Sequence, residues 1–175
     1  MKTIKRIAII GNAGSGKSTL ARKLHQILHI PLYHLDQYFW KPHWTHPNID
    51  EYKVIHDTLC DQEVWIIDGM NLKFLDYRAS KAEVIIFLDI PRYICLWRIF
   101  KRTIKYYGKE TPSSAQKCPE RFDWKFVKWA WDFKAKYPPK IRELLHAYED
   151  TKEIYILQSS TEINQLLEKL NKSLL

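Results

Sequence analysis

Residues 11–18 read Gly-Asn-Ala-Gly-Ser-Gly-Lys-Ser, filling every fixed position of the phosphate-binding pattern G-x-x-x-x-G-K-[ST]. The short apolar run Ile7-Ala8-Ile9-Ile10 precedes it and suits a buried strand. Leu20, Leu24, Ile27 and Leu28 follow at helical spacing. Strand, glycine loop and helix together form the context that separates this motif from a chance glycine turn. Glycines at 11, 14 and 16 permit backbone angles that let successive N–H groups converge on one anion. The helix that follows adds its dipole and its free first-turn donors. Lys17 is placed to reach the β- and γ-phosphates, and the Ser18 hydroxyl to ligate Mg²⁺. A nucleoside triphosphate site is therefore predicted over Gly11, Asn12, Ala13, Gly14, Ser15, Gly16, Lys17, Ser18 and Thr19.

The length of 175 residues and the 46% hydrophobic content suit one domain with one well-buried core, spanning 1–175. Cys60, Cys95 and Cys118 are odd in number and widely spaced, which favours a reducing cytoplasmic setting over a disulfide frame or a zinc site. No segment approaches the roughly 18 apolar residues that span a bilayer, so a soluble protein without a membrane partner is expected. The net charge of +8 favours polyanionic ligands, whether nucleic acid, an acidic membrane or a triphosphate. Seven Trp and ten Tyr form a heavy aromatic load, which a core plus a substrate cleft explains more simply than a base-stacking platform.

Strand-like runs fall near Ile4–Ile10, Leu32–Leu35, Val64–Ile67, Val84–Leu88 and Ile154–Leu157. Helical patterns fall near Lys17–His29, Asp50–Cys60, Pro91–Tyr107, Phe122–Lys136, Pro139–Tyr148 and Thr161–Leu170. This alternation predicts an α/β fold: a parallel sheet with right-handed crossovers and helices on both faces. Ligands in such folds bind beyond the carboxyl ends of the strands. The helix from Phe122 carries two apolar stripes, Phe122/Phe126/Trp129/Phe133 and Trp124/Val127/Trp131, and is expected to be buried on both.

Three further strand ends deliver acids: Asp36, Asp68 and Asp89. Asp36 and Asp68 are the candidates to orient Mg²⁺ through water or to accept a proton from a hydroxyl being phosphorylated. Asp89, just before Pro91, reads better as a turn or helix-capping residue. Arg98 and Arg102 share one helix face and lead into a polar, turn-rich stretch ending at Arg121. Guanidinium groups on a closing lid, placed at about 103–122, would stabilise the charge of a transferring phosphoryl group and exclude water. A GTPase is disfavoured, because Asn171-Lys172-Ser173-Leu174 lacks the Asp of a base-reading N-K-x-D. His34, His43 and His46 have poor metal-site spacing and are expected to line a cleft or face solvent.

The glycine loop, Asp68-Gly69 and the R-x-x-x-R of Arg98 and Arg102 resemble the adenylate kinase group of P-loop kinases. Y-H-L-D (33–36), F-W-K-P (39–42), W-I-I-D-G (65–69), F-L-D-I-P-R (87–92), C-L-W-R (95–98) and C-P-E-R (118–121) resemble the bacterial DNA topology modulation proteins over nearly the whole chain. The resemblance implies a P-loop NTPase fold with a five-stranded parallel sheet of order 2-3-1-4-5 and a helical lid. It implies an ATP- and Mg²⁺-dependent kinase, with Lys17, Asp36, Arg98 and Arg102 catalytic and Asp68 reaching the metal through water. Asp36, Tyr38, Trp40, Asp68, Gly69, Arg78 and Arg121 are the expected acceptor-binding residues. The chain departs from nucleoside monophosphate kinases in having no arginine from Asp36 to Cys60. An acid among aromatics there suits a neutral small-molecule acceptor bearing a hydroxyl. A DNA-associated ATPase is the alternative, with DNA not expected as a tight ligand, and the chain is expected to be a monomer or homodimer.

Overall fold

A computed structural model describes residues 4–172. Five strands, β1 (Arg6–Gly11), β2 (Leu32–His34), β3 (Trp65–Asp68), β4 (Val84–Leu88) and β5 (Glu153–Leu157), form one parallel sheet in the order β2-β3-β1-β4-β5. Eight α-helices accompany them among the described residues: α1 (Lys17–Leu28), α2 (Leu35–Phe39), α3 (Ile49–Cys60), α4 (Leu75–Lys81), α5 (Arg92–Tyr106), α6 (Trp124–Lys136), α7 (Pro138–His146) and α8 (Ser160–Lys172). Helices α2 and α4, and the 3₁₀ turns Pro42–Trp44 and Leu72–Phe74, add to the elements that periodicity predicts.

The central strands are apolar on both faces because both are covered. Ile7, Ile9, Ile66, Ile86 and Leu88 pack against Leu20 and Leu24 of α1 and Leu166 and Leu170 of α8. The alternate residues Ala8, Ile10, Trp65, Ile67, Ile85 and Phe87 pack against α3, α4, α6 and α7 through Leu59, Leu75, Phe133 and Ile141. Each of the larger aliphatic and Phe side chains, removed wholly from water, contributes roughly 1.5–3 kcal/mol.

Two expectations are corrected here. Asp89 caps no helix: its carboxylate binds Lys134 Nζ at 2.5 Å and Arg142 Nη2 at 2.7 Å, tying the end of β4 to α6 and α7. The N-terminal cap of α5 is instead Pro91, which makes no side-chain capping bond. The second correction concerns α6. Ala130 and Phe133 are buried, but Trp124 is 69% exposed and Trp131 48%. A helix lying on a sheet has only one inward side, so the second stripe faces out.

Candidate active site

The loop between β1 and α1 lies at the carboxyl edge of the sheet, where β1 occupies the central position. Gly14 has φ +72°, and a Cβ there would lie 2.3 Å from the Cys95 carbonyl oxygen of α5, so only glycine fits. Gly16 caps α1 in a left-handed conformation without a side-chain hydrogen bond, and the first turn of α1 holds no acid. The orphan N–H groups of that turn are thus left to an external anion. Lys17 Nζ donates to the Asn12 carbonyl oxygen at 2.8 Å. Burial lowers the Lys17 pKa, while Asp68 and Asp36 pull it back up. A desolvated cation without a bonded carboxylate, beside unpaired helix donors, fits a polyphosphate.

Strand register brings the acids to this cation. Parallel pairing sets His34 beside Asp68 across β2 and β3, and Ile9 beside Asp68 across β1 and β3. His34 Nδ1 lies 2.5 Å from Asp68 Oδ1, with both residues buried. A carboxylate only accepts, so the ring nitrogen donates, and this fixes the orientation of Asp68. Asp36 stands in the first turn of α2. Desolvation by the surrounding walls raises its pKa, Lys17 lowers it and Asp68 raises it further. Water still reaches the residue, so the cost is smaller than for a sealed carboxylate.

The two arginines of α5 sit over the loop in different ways. Arg98 donates to the Ser15 carbonyl oxygen at 2.9 Å and to Ser160 Oγ at 3.0 Å, bridging the loop to the start of α8. Arg102 donates to Glu120 Oε1 at 3.1 Å, which also accepts from Thr103 Oγ1 at 2.9 Å. The strap between α5 and α6 is thereby anchored at Glu120. It continues across the segment after β2: the His43 N–H donates to the Lys117 carbonyl oxygen at 2.9 Å, and Trp44 Nε1 donates to that of Pro119 at 3.0 Å. Gln37 Nε2 donates to the Pro112 carbonyl oxygen at 3.3 Å. One rim therefore gathers a phosphate loop, a lysine, two carboxylates and two guanidinium groups.

No protein-family model matches the chain. A Bacillus subtilis (strain 168) protein, described as the uncharacterized protein YqaC, is 32% identical over 130 residues that cover 72% of this chain and 71% of that protein. The chain belongs to the YqaC family. Among solved structures, a shikimate kinase from Acinetobacter baumannii in complex with shikimate matches with a TM-score of 0.62 at 12% identity, covering 98% of this chain and 93% of that one. A gluconokinase from Sinorhizobium meliloti 1021 matches with a TM-score of 0.54 at 13% identity, covering 99% and 93%. At such identities the likeness is one of fold.

Within this YqaC-family chain the other predicted residues divide. Asp68 and Gly69 stay at the rim, where a Cβ on Gly69 would lie 2.7 Å from Leu35 Cβ. Trp40 joins an aromatic group with Phe39, Trp44 and His46 at ring separations of 5.1, 5.6 and 5.0 Å. Tyr38 is directed instead toward Tyr33, at 6.4 Å. Arg78 is fully buried and donates to the Gly69 carbonyl oxygen at 3.0 Å. With no surface of its own, it acts on an acceptor only by holding the Asp68-Gly69 turn. Arg121 pairs with Asp123 at 3.8 Å and lines the groove between α5 and α6.

Sequence reasoning missed three contributors. His34 was visible in Y-H-L-D, but its partner lies 34 positions away and becomes evident only from strand register. Glu120 lies in the C-P-E-R stretch and Ser160 opens α8, but only the packed fold shows that they fix Arg102 and Arg98.

Proposed function

We propose that this chain is an ATP- and Mg²⁺-dependent phosphotransferase acting on a hydroxyl of a small acceptor. In this reading it works as one adenylate kinase-like domain, with residues 103–122 as lid. The observation that carries the reading is the glycine loop at the uncapped start of α1, with the half-buried Lys17 donating only to the Asn12 carbonyl oxygen and Asp36 and Asp68 close enough to act on its charge. The fold it shares with a shikimate kinase and a gluconokinase supports a small acceptor. So does the arginine-free aromatic segment after β2, where a gripping arginine for an acceptor phosphate is missing.

Lys17 and the α1 N–H groups bind the phosphates, and Ser18 provides a direct metal ligand. Ser18 and Asp68 are the residues that would hold a Mg²⁺ ion, Asp68 through water, and the ion would supply positive charge against the phosphates. His34 keeps Asp68 aimed for that contact. Asp36 accepts the proton of the acceptor hydroxyl as its oxygen bonds to the γ-phosphorus and the bond to the departing diphosphate breaks. Arg98 and Arg102 face the charge that spreads over the equatorial oxygens. Trp40 and its aromatic neighbours wall the acceptor side and exclude water.

Calorimetry tests the first half of this reading. Mg²⁺-dependent ATP binding is expected, and Lys17→Met should abolish it while the free protein melts at an unchanged or higher temperature, because the substitution removes a desolvated charge. A screen of nucleosides, hydroxy acids, sugars and small alcohols for ADP release then identifies the acceptor. Wild-type protein that binds no ATP would overturn the proposal. A DNA-associated ATPase would instead show tight, ATP-sensitive and steeply salt-dependent duplex binding.

A further inference from the structure

Helix α5 is two-sided in an unusual way. Arg98 and Arg102 face the phosphate loop, while Tyr93, Trp97, Phe100 and Ile104, spaced alternately by four and three, run along the opposite side and are exposed. Trp124 and Trp131 of the neighbouring α6 are also exposed and line a hollow with Leu96 of α5. Leu96 and Val127 line two shallow hollows between the helices, of about 170 and 390 Å³. Exposed rings gathered along two neighbouring helices, rather than scattered singly, mark an interaction site.

Charge and composition indicate what covers it. Lys101 lies over Trp97 and Lys128 lines the hollow beside Trp124 and Trp131; both are exposed, as are Lys105 and Lys125 on the same two helices. Of the nearby acids, Asp123 caps α6 and Asp132 is paired with Lys136 at 3.1 Å and Lys128 at 3.9 Å. Protein interfaces are depleted in lysine, and a second copy would set like charges against each other. Bases stack on free ring faces, but here Lys101 lies over Trp97 at 5.3 Å and Arg92 over Trp131 at 4.7 Å. Exposed Trp, Tyr and Phe with a lysine border are the chemistry of a bilayer interface: rings at headgroup depth, ammonium groups on lipid phosphates.

We propose that the α5–α6 face docks on the surface of an anionic lipid bilayer, leaving the phosphate loop, on the other side of α5, open to solvent. No described helix is long and apolar enough to cross a membrane, so the association is peripheral. The inference is independent of the kinase reading.

The test uses the whole chain and sedimentation with vesicles of phosphatidylcholine alone or mixed with phosphatidylglycerol. Binding to the mixed vesicles is expected, weakened by salt and accompanied by a blue shift in tryptophan emission. Replacing Trp124 and Trp131 together by Ser should weaken it about tenfold or more. Val54→Ser with Ile55→Ser, exposed apolar positions on α3, should leave it unchanged. Both Trp side chains are exposed, so an unaltered circular dichroism spectrum should show that the double variant folds. The proposal is overturned by absence of vesicle binding. Binding that persists in the Trp variant would overturn it too, because that is the plain adsorption of a basic protein. A dimer, or a complex with single-stranded oligonucleotide, that the same variant abolishes in place of vesicle binding would assign the face to those partners instead.

Discussion

Asp36 and Lys17 carry opposite charges, and the cleft disfavours the charged form of each. For Asp36 the sign can be worked through. Its folded-state pKa is raised by desolvation above the ordinary carboxylate value. Between the two values the folded chain holds a proton that the unfolded chain has released, so stability falls as pH rises through that window. Turnover runs the other way, because a general base works only once ionised. Asp36→Asn should therefore gain melting temperature relative to wild type as pH rises through that window, and cut kcat by about 10²-fold or more. Melting curves and rates measured as the pH is raised from acid toward neutral check both. Near wild-type turnover in this variant would move the base role to Asp68. The loop residues were legible because backbone demands fix their identities: no other side chain suits position 14. The His34–Asp68 pair was not, because register is a long-range property.

At the scale of elements, strands and long helices followed from periodicity, with ends displaced by a residue or two. Helices α2 and α4 span five and seven residues, too few turns for a 3.6-residue period to declare itself. The Trp-rich helix shows a different limit. Its two stripes were visible, but the choice of inner stripe depends on α5 packing beside it and on Asn12, whose Nδ2 donates to the Ala130 carbonyl oxygen at 2.8 Å. Asp89 likewise read as local punctuation while serving as a long-range clamp on Lys134 and Arg142. Asp89→Asn loses two charge-assisted bonds, but both cations can turn to solvent, so we expect a cost of about 2 kcal/mol. That corresponds to a fall of roughly 4–8 °C in Tm for a chain of this size. ATP affinity should be unaffected, since the clamp lies outside the phosphate loop. Thermal denaturation with parallel calorimetry separates the two effects.

Across the whole molecule, the alternation of strands and helices anticipated a parallel sheet with right-handed crossovers, whereas the order 2-3-1-4-5 came from the resemblance to adenylate kinase-like proteins and not from the pattern itself. The strap could not be anticipated in its detail. Residues 112–119 are bonded less to the core than to residues 37–43 and Trp44, the segment that would receive the acceptor. Two covers that hold each other cannot open one at a time without losing those bonds. For the proposed reaction this has a kinetic consequence: both products leave through a single event. Rapid mixing of enzyme, ATP and acceptor should then show a burst of phosphorylated product close to one equivalent, followed by a slower steady rate. That steady rate should depend little on the acceptor supplied. Trp44→Phe, which removes the donor to Pro119, should raise the steady rate while leaving the burst in place.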